Sequence, residues 1–240
     1  MKILAIGNSF SQDATRYIEA IADGELFVRN LYIGGCSLRT HAAHVKDGEA
    51  AYTYEKDAEA IEPISMQDAL TREEWDMVTV QQVSHEAGMV ETYEPYIAEV
   101  LELVRKLAPK AKIHFHKTWA YEATSVHPAF HYYRSDRHLM KARIDVATKE
   151  IAEKYELPVI PVGDAVAFAR ESAEFDAARG GINITRDGFH LSLEYGRYLA
   201  GLVWNKYFTG TAAKDVKYVP DVCDNAALVE IVKKAVDAVL

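Results

Sequence analysis

The sequence predicts a three-layer α/β/α fold around a parallel sheet of five strands. Three observations predict it. Short apolar runs recur along the first two thirds of the chain, each too brief for a helix and each stopped by glycine, proline or a polar cluster. Longer stretches with apolar residues at helical spacing lie between them. The two kinds alternate from end to end, which is the pattern of strand–helix units joined by right-handed crossovers.

The first strand is Ile3-Leu4-Ala5-Ile6, ended by Gly7, and a helical pattern with Ala14, Ile18 and Ile21 on one face follows it. Residues 27–33 mix aromatic and branched side chains and stop at Gly34-Gly35, which predicts the second strand and a turn. Residues 40–70 show no sustained period; an insertion is expected there, with a short hairpin near Tyr52 and Tyr54. Residues 75–82 predict the third strand and residues 93–107 a helix closed by Pro109. Residues 112–118 alternate as a fourth strand, 135–155 read as a long helix, and 159–162 as the fifth strand. A helix begins near Asp164. Residues 185–190 form a loop, Ser192 stands where a cap would precede a further helix, and residues 225–239 make the last one.

The 240 residues are 49% hydrophobic, enough for one core, so residues 1–240 are expected to form a single domain with its centre in 1–210. The formal net charge is −9 and no Lys/Arg cluster stands out. Such a surface repels nucleic acid and anionic membranes, and neither is an expected partner. No apolar run approaches a membrane span. The two cysteines, Cys36 and Cys223, have no metal or disulfide spacing and are compatible with a reducing compartment. The first strand starts at Met1, so no signal peptide is expected and the location expected is cytoplasmic.

In a parallel sheet of this kind, ligands gather at the carboxyl ends of the strands. Ser9, Gly35, Gln82, Trp119 and His190 all fall at or near that edge. A serine at a strand-to-helix turn lies beside free backbone N–H groups that can hold an oxyanion, which suits a nucleophile. Ser9-x-x-Gln12 also fits a capping box, in which Ser9 only closes a helix. Near the other end, Asp187-Gly188-Phe189-His190 places a carboxylate three residues before an imidazole, across a bend at Gly188. That carboxylate can fix the ring's tautomer and stabilise its protonated form.

Together these blocks resemble the SGNH, or GDSL-like, hydrolases. Gly7-Asn8-Ser9-Phe10-Ser11 is similar to their G-[DN]-S block, Ile33-Gly34-Gly35-Cys36-Ser37 occupies the place of their glycine block, and Asp187-x-x-His190-Leu191 is similar to their final D-x-x-H block. Val80-Gln81-Gln82, Thr118-Trp119-Ala120-Tyr121 and Arg186-Asp187-Gly188-Phe189-His190-Leu191-Ser192 place the chain beside an uncharacterised branch of that superfamily. The resemblance implies a flavodoxin-like sheet and a serine esterase without a cofactor. Ser9 would be the nucleophile, His190 its base and Asp187 the residue orienting His190, with the N–H groups of Ser9 and Gly35 facing the oxyanion. Asn8 and His85 would line the pocket, with Trp119 and Tyr121 either its aromatic wall or ordinary aromatic core. The substrate implied is a small carboxylic ester; O-acetyl groups on carbohydrate follow by analogy with relatives.

The chain departs from the family at the third block, where G-x-N-D normally supplies an asparagine donor. Here Gln81-Gln82-Val83-Ser84-His85-Glu86 stands instead. The amide of Gln82 is expected to do that work as the third oxyanion donor; counting from Asp76 alternatively puts His85 at the asparagine's place. Two other classes are open. The pairs His114/His116, His41/His44 and His127/His131 would suit a metal-dependent hydrolase, although none has an acid or cysteine at a recognised ligand spacing and no metal is expected. A flavodoxin-like module that binds a ligand without turnover is the other.

Overall fold

The computed structural model describes residues 1–177 and 179–240. Its strands are β1 (Lys2–Gly7), β2 (Phe27–Tyr32), β3 (Tyr52–Lys56), β4 (Glu59–Ile64), β5 (Met77–Val80), β6 (Lys112–His116) and β7 (Val159–Ile160). The helices are α1 (Ser9–Thr15), α2 (Ile18–Ile21), α3 (Leu38–Asp47), α4 (Met66–Arg72), α5 (Tyr96–Leu107), α6 (Arg137–Tyr155), α7 (Val162–Ala169), α8 (Tyr195–Thr209) and α9 (Ala226–Val239).

The strands form one sheet in the order β4-β3-β2-β1-β5-β6-β7. The five strands read from the sequence are its parallel part, β2-β1-β5-β6-β7. The sheet has seven strands, not five, and is mixed: β3 and β4 form a hairpin that adds antiparallel to β2. The hairpin expected near Tyr52 and Tyr54 is therefore present, and the rest of residues 40–70 is regular as well, in α3 and α4. The inward face of α3 combines Leu38 and Ala42 with His41, and a histidine on a buried face hides the helical period. In β4 the residues Glu59, Ala60, Ile61, Glu62 and Pro63 are exposed, so the strand lacks an apolar alternation to announce it.

Two cores flank the sheet. Ile3 and Ala5 of β1 pack toward α1, α2, α7, α8 and α9; Leu4 and Ile6 pack the opposite way, with α3, α4 and α5. Period-two alternation on a fully buried strand thus serves both layers at once. The chain runs from β1 outward to β2, then returns to β5 on the other side of β1. The strand order reverses between β1 and β5, and the carboxyl ends of these two strands border the crevice where such sheets bind ligands.

Candidate active site

Gly7 ends β1 and the chain turns directly into α1. The helix is capped by Asn8, whose Oδ1 accepts from Phe10 N at 3.0 Å. The capping-box alternative for Ser9 is thereby removed: Ser9 is the first helical residue, and Gln12 turns away to donate to Glu55. Ser9 is partly exposed, and its hydroxyl is free for another partner.

That partner is His190, whose Nε2 lies 2.8 Å from Ser9 Oγ across 181 positions of sequence. His190 Nδ1 lies 2.6 Å from Asp187 Oδ2. An ionised carboxylate only accepts, so Nδ1 carries the ring proton and Nε2 presents a lone pair to the hydroxyl. Asp187 Oδ1 also accepts from Phe189 N at 3.1 Å and His190 N at 2.7 Å. Burial alone would push this carboxyl up. The ring of His190 and the two backbone N–H groups outweigh burial and hold it below the usual carboxylate range. The bend needs Gly188: its φ of +89° is left-handed, and a Cβ there would meet Ser125 Cα at 2.9 Å.

The glycine turn after β2 is drawn to the same place. Cys36 N donates to Ile33 O, and Gly35 sits between them at φ +64°, exposed. Asn8 Nδ2 donates to Cys36 O at 2.9 Å, tying this turn to the one that carries Ser9. Asn8 is 1% exposed, so it braces the site and does not line a pocket. Behind it a buried relay runs from His116 Nδ1 to Gln81 Oε1 at 2.7 Å and from Gln81 Nε2 to Asn8 Oδ1 at 2.8 Å. Burial lowers His116 to about 3, so its ring is neutral and donates through Nδ1. Gln81 had given no sign of this role; a polar pair closing an apolar strand was the one available hint.

Four expected site residues are placed differently. Gln82 is fully buried, with both amide hydrogens on Thr92 (O and Oγ1, each 3.1 Å) and its oxygen accepting from Leu38 N and Val83 N. It holds α3 and the turn after β5 together and has no hydrogen left for an oxyanion. Trp119 is also fully buried, stacked on Phe10 with centroids 4.1 Å apart, and its Nε1 donates to Phe189 O. It fixes the Asp187–His190 loop from beneath instead of forming a pocket wall. Tyr121 is core as well, its hydroxyl 2.8 Å from Ser84 Oγ. Asn8 is the fourth, as described.

The half-exposed rings beside His190 are others. Phe189 lies 4.2 Å from the His190 centroid, His127 packs edge-on to Phe189 at 4.8 Å, and His85 stacks on His127 at 5.8 Å. His127 Nδ1 accepts from Ala129 N. Burial, with His85 and His190 nearby, lowers its pKa, so the ring is neutral with Nε2–H available. His127 had stood out only by its spacing from His131.

The remaining histidine pairs do not converge on a shared ligand. His114 Nδ1 faces Tyr207 and its Nε2 faces Met77, whereas His116 belongs to the relay. His41 is buried against Tyr52 and His44 faces Asp47. Among the described residues, the group with metal-ligand proximity is His44, Asp47 and Glu49, on the surface at the end of α3. Cys36 is buried and its thiol is pushed up to about 12 by that burial, the state of a packing residue and not of a nucleophile. No helix is long and apolar enough to cross a membrane among the described residues.

Comparison with known proteins agrees with this geometry at the level of fold. A crystal structure of a DUF4886 family protein from Bacteroides uniformis superposes with a TM-score of 0.90 at 31% identity, over 99% of this chain and 93% of that one. An SGNH hydrolase from Slackia heliotrinireducens matches at 0.61 and 22% identity, covering 87% and 98%. An acetyl xylan esterase, AlAXEase, matches at 0.55 and 14% identity, covering 88% and 100%. No curated protein matches. The model of the domain of unknown function DUF4886 spans residues 2–238, and the chain therefore belongs to that family, on the fold it shares with the SGNH hydrolases.

Proposed function

We propose that this protein is a serine esterase for small carboxylic esters that works through an acyl-enzyme on Ser9. One observation carries the reading: a continuous line of contacts from Ser9 Oγ through the His190 ring to Asp187, at 2.8 and 2.6 Å, at the switch point of the sheet. As Oγ attacks the ester carbonyl, His190 Nε2 takes its proton and Asp187 stabilises the resulting imidazolium. Charge gathers on the former carbonyl oxygen, opposite the N–H groups of Ser9 and Gly35. The intermediate collapses, the alcohol leaves with the proton from His190, and the acyl group stays on Ser9. A water then gives its proton to His190, attacks the acyl carbon, and the acid is released as Oγ regains a proton.

His85 is the remaining candidate for the third oxyanion donor. Gln82 is committed to structure, and His85 stands where the family's asparagine falls. Its ring joins the row His85–His127–Phe189 that ends beside His190. Phe189 and His127 supply the aromatic surface for the alcohol. Acetylated sugars are the first natural class to assay, since an acetyl xylan esterase has the same fold.

Fluorophosphonate labelling and hydrolysis of p-nitrophenyl acetate test the proposal. Ser9→Ala abolishes labelling and lowers kcat by about 10⁴ or more, with a Tm close to wild type. Undiminished turnover in that variant removes Ser9 from the chemistry.

A further inference from the structure

His190 and Asp187 travel together on one loop, while Ser9 sits on a helix at the opposite end of the chain. The loop is internally closed: Thr185 and Leu191 form an antiparallel bridge, and Arg186 N donates to His190 O at 2.9 Å. Something must hold this unit against α1 at hydrogen-bonding distance from Ser9. Asp13 lies one helical turn beyond Ser9 on the same face of α1, and none of its surface reaches solvent. Its Oδ2 accepts from Leu191 N at 2.9 Å, the residue after His190. Its Oδ1 accepts from Arg186 Nη1 at 3.0 Å, the residue before Asp187, and Arg186 Nη1 also donates to Leu191 O. Arg197 Nε of α8 donates to Oδ1 at 2.8 Å and completes the cluster.

We propose that Asp13, with Arg186, is a positioning device: it grips both ends of the catalytic loop and so sets His190 Nε2 on Ser9 Oγ. The inference rests on the esterase reading for its kinetic consequence, but its geometric claim stands apart from it. A buried carboxylate between two guanidiniums holds its partners by charge-assisted hydrogen bonds, and a displacement of about 1 Å at the ring is enough to cost on the order of 10² in rate. The other backbone-oxygen hydrogen bonds of the loop, Trp119 Nε1 to Phe189 O and Glu122 N to Gly188 O, lead to the segment after β6; from α1, Phe10 adds only a ring contact with His190, centroids 5.9 Å apart.

The test compares Arg186→Gln with Arg197→Gln, each of which removes one guanidinium from Asp13, and includes Asp13→Asn. The expected result for Arg186→Gln is a fall in kcat and in fluorophosphonate labelling of about 30-fold or more, with KM within threefold. Asp13→Asn falls about 100-fold and Arg197→Gln about threefold or less. The downfield proton resonance of the His190–Asp187 hydrogen bond persists in Arg186→Gln, because both residues ride on the loop. Equal kcat losses in the two arginine variants at equal loss of Tm would make the cluster merely structural and overturn the proposal. A crystal structure of Arg186→Gln with the Nε2–Oγ separation still at 2.8 Å would overturn it too, whether or not the wild type hydrolyses esters. Separation beyond hydrogen-bond reach supports it. A wild-type protein that neither labels nor turns over p-nitrophenyl acetate refutes the esterase reading alone.

Discussion

The turns that follow β1 and β5 sit side by side at the same edge of the sheet, and both are polar. They are used in opposite ways. After β1, Asn8 takes over the cap and the Ser9 hydroxyl is left facing His190. After β5, the three polar residues among the four before His85 are all committed inward: Gln81 to Asn8 and His116, Gln82 to Thr92, Leu38 and Val83, and Ser84 to Tyr121. A polar side chain at a strand end is thus left available or built into the structure according to which neighbour satisfies it. The second turn is the support on which the first is held in place, since Gln81 secures the residue that caps α1.

Substitutions that separate these two uses can break the comparison. The largest effect is expected for Asp187→Asn, which keeps the shape of the loop and removes the negative charge behind the ring. A loss of about 10³–10⁴ in kcat is expected, and steady-state kinetics on p-nitrophenyl acetate checks it. Next comes His85→Ala. A missing oxyanion donor costs about 10²–10³ in kcat with KM little changed, so a variant at wild-type rate would return the turn after β5 to a wholly structural role.

The pH profile sharpens the same contrast. Only a neutral imidazole accepts the Ser9 proton, so kcat/KM falls about tenfold per pH unit on the acid side of the base. The Asp187 carboxyl is held below its ordinary value and stays ionised in mild acid, so it adds nothing to that acid limb. A carboxyl depressed in this way contributes stability above about pH 3.9 that is lost as pH falls through its lower folded value. It therefore puts no slope on Tm between pH 5 and 8. The smallest effect on catalysis belongs to Gln82→Leu. It strands the N–H groups of Leu38 and Val83 and lowers stability by roughly 1–3 kcal/mol, seen as a drop in Tm, while kcat stays within about threefold.

Much of the parallel sheet was legible in the sequence because its strands are buried on both faces and stand out as apolar runs. The meeting of Ser9 with Asp187 and His190 was legible because a carboxylate three residues before an imidazole, beside a bend at glycine, serves few purposes. The hairpin β3–β4 was faint because one of its strands is almost wholly exposed. Trp119 was ambiguous because its burial depends on Phe10, which arrives from α1, more than one hundred positions away. Asp13 was invisible for a related reason. A carboxylate in a helix resembles a solvated surface residue until two arginines from the far end of the chain close over it. Long-range partners decide the cases of Trp119 and Asp13, and local pattern carries no trace of them.

The hairpin that lengthens the sheet also ends it. Without β3 and β4, the rim would be β2, a six-residue strand of mixed aromatic and branched side chains with open backbone groups. The rim is instead β4, where Pro63 lacks a donor and Glu59 and Glu62 meet water, while at the opposite border β7 is two residues long. A proline, two exposed glutamates and a two-residue strand are the kinds of border that discourage sheets from pairing edge to edge.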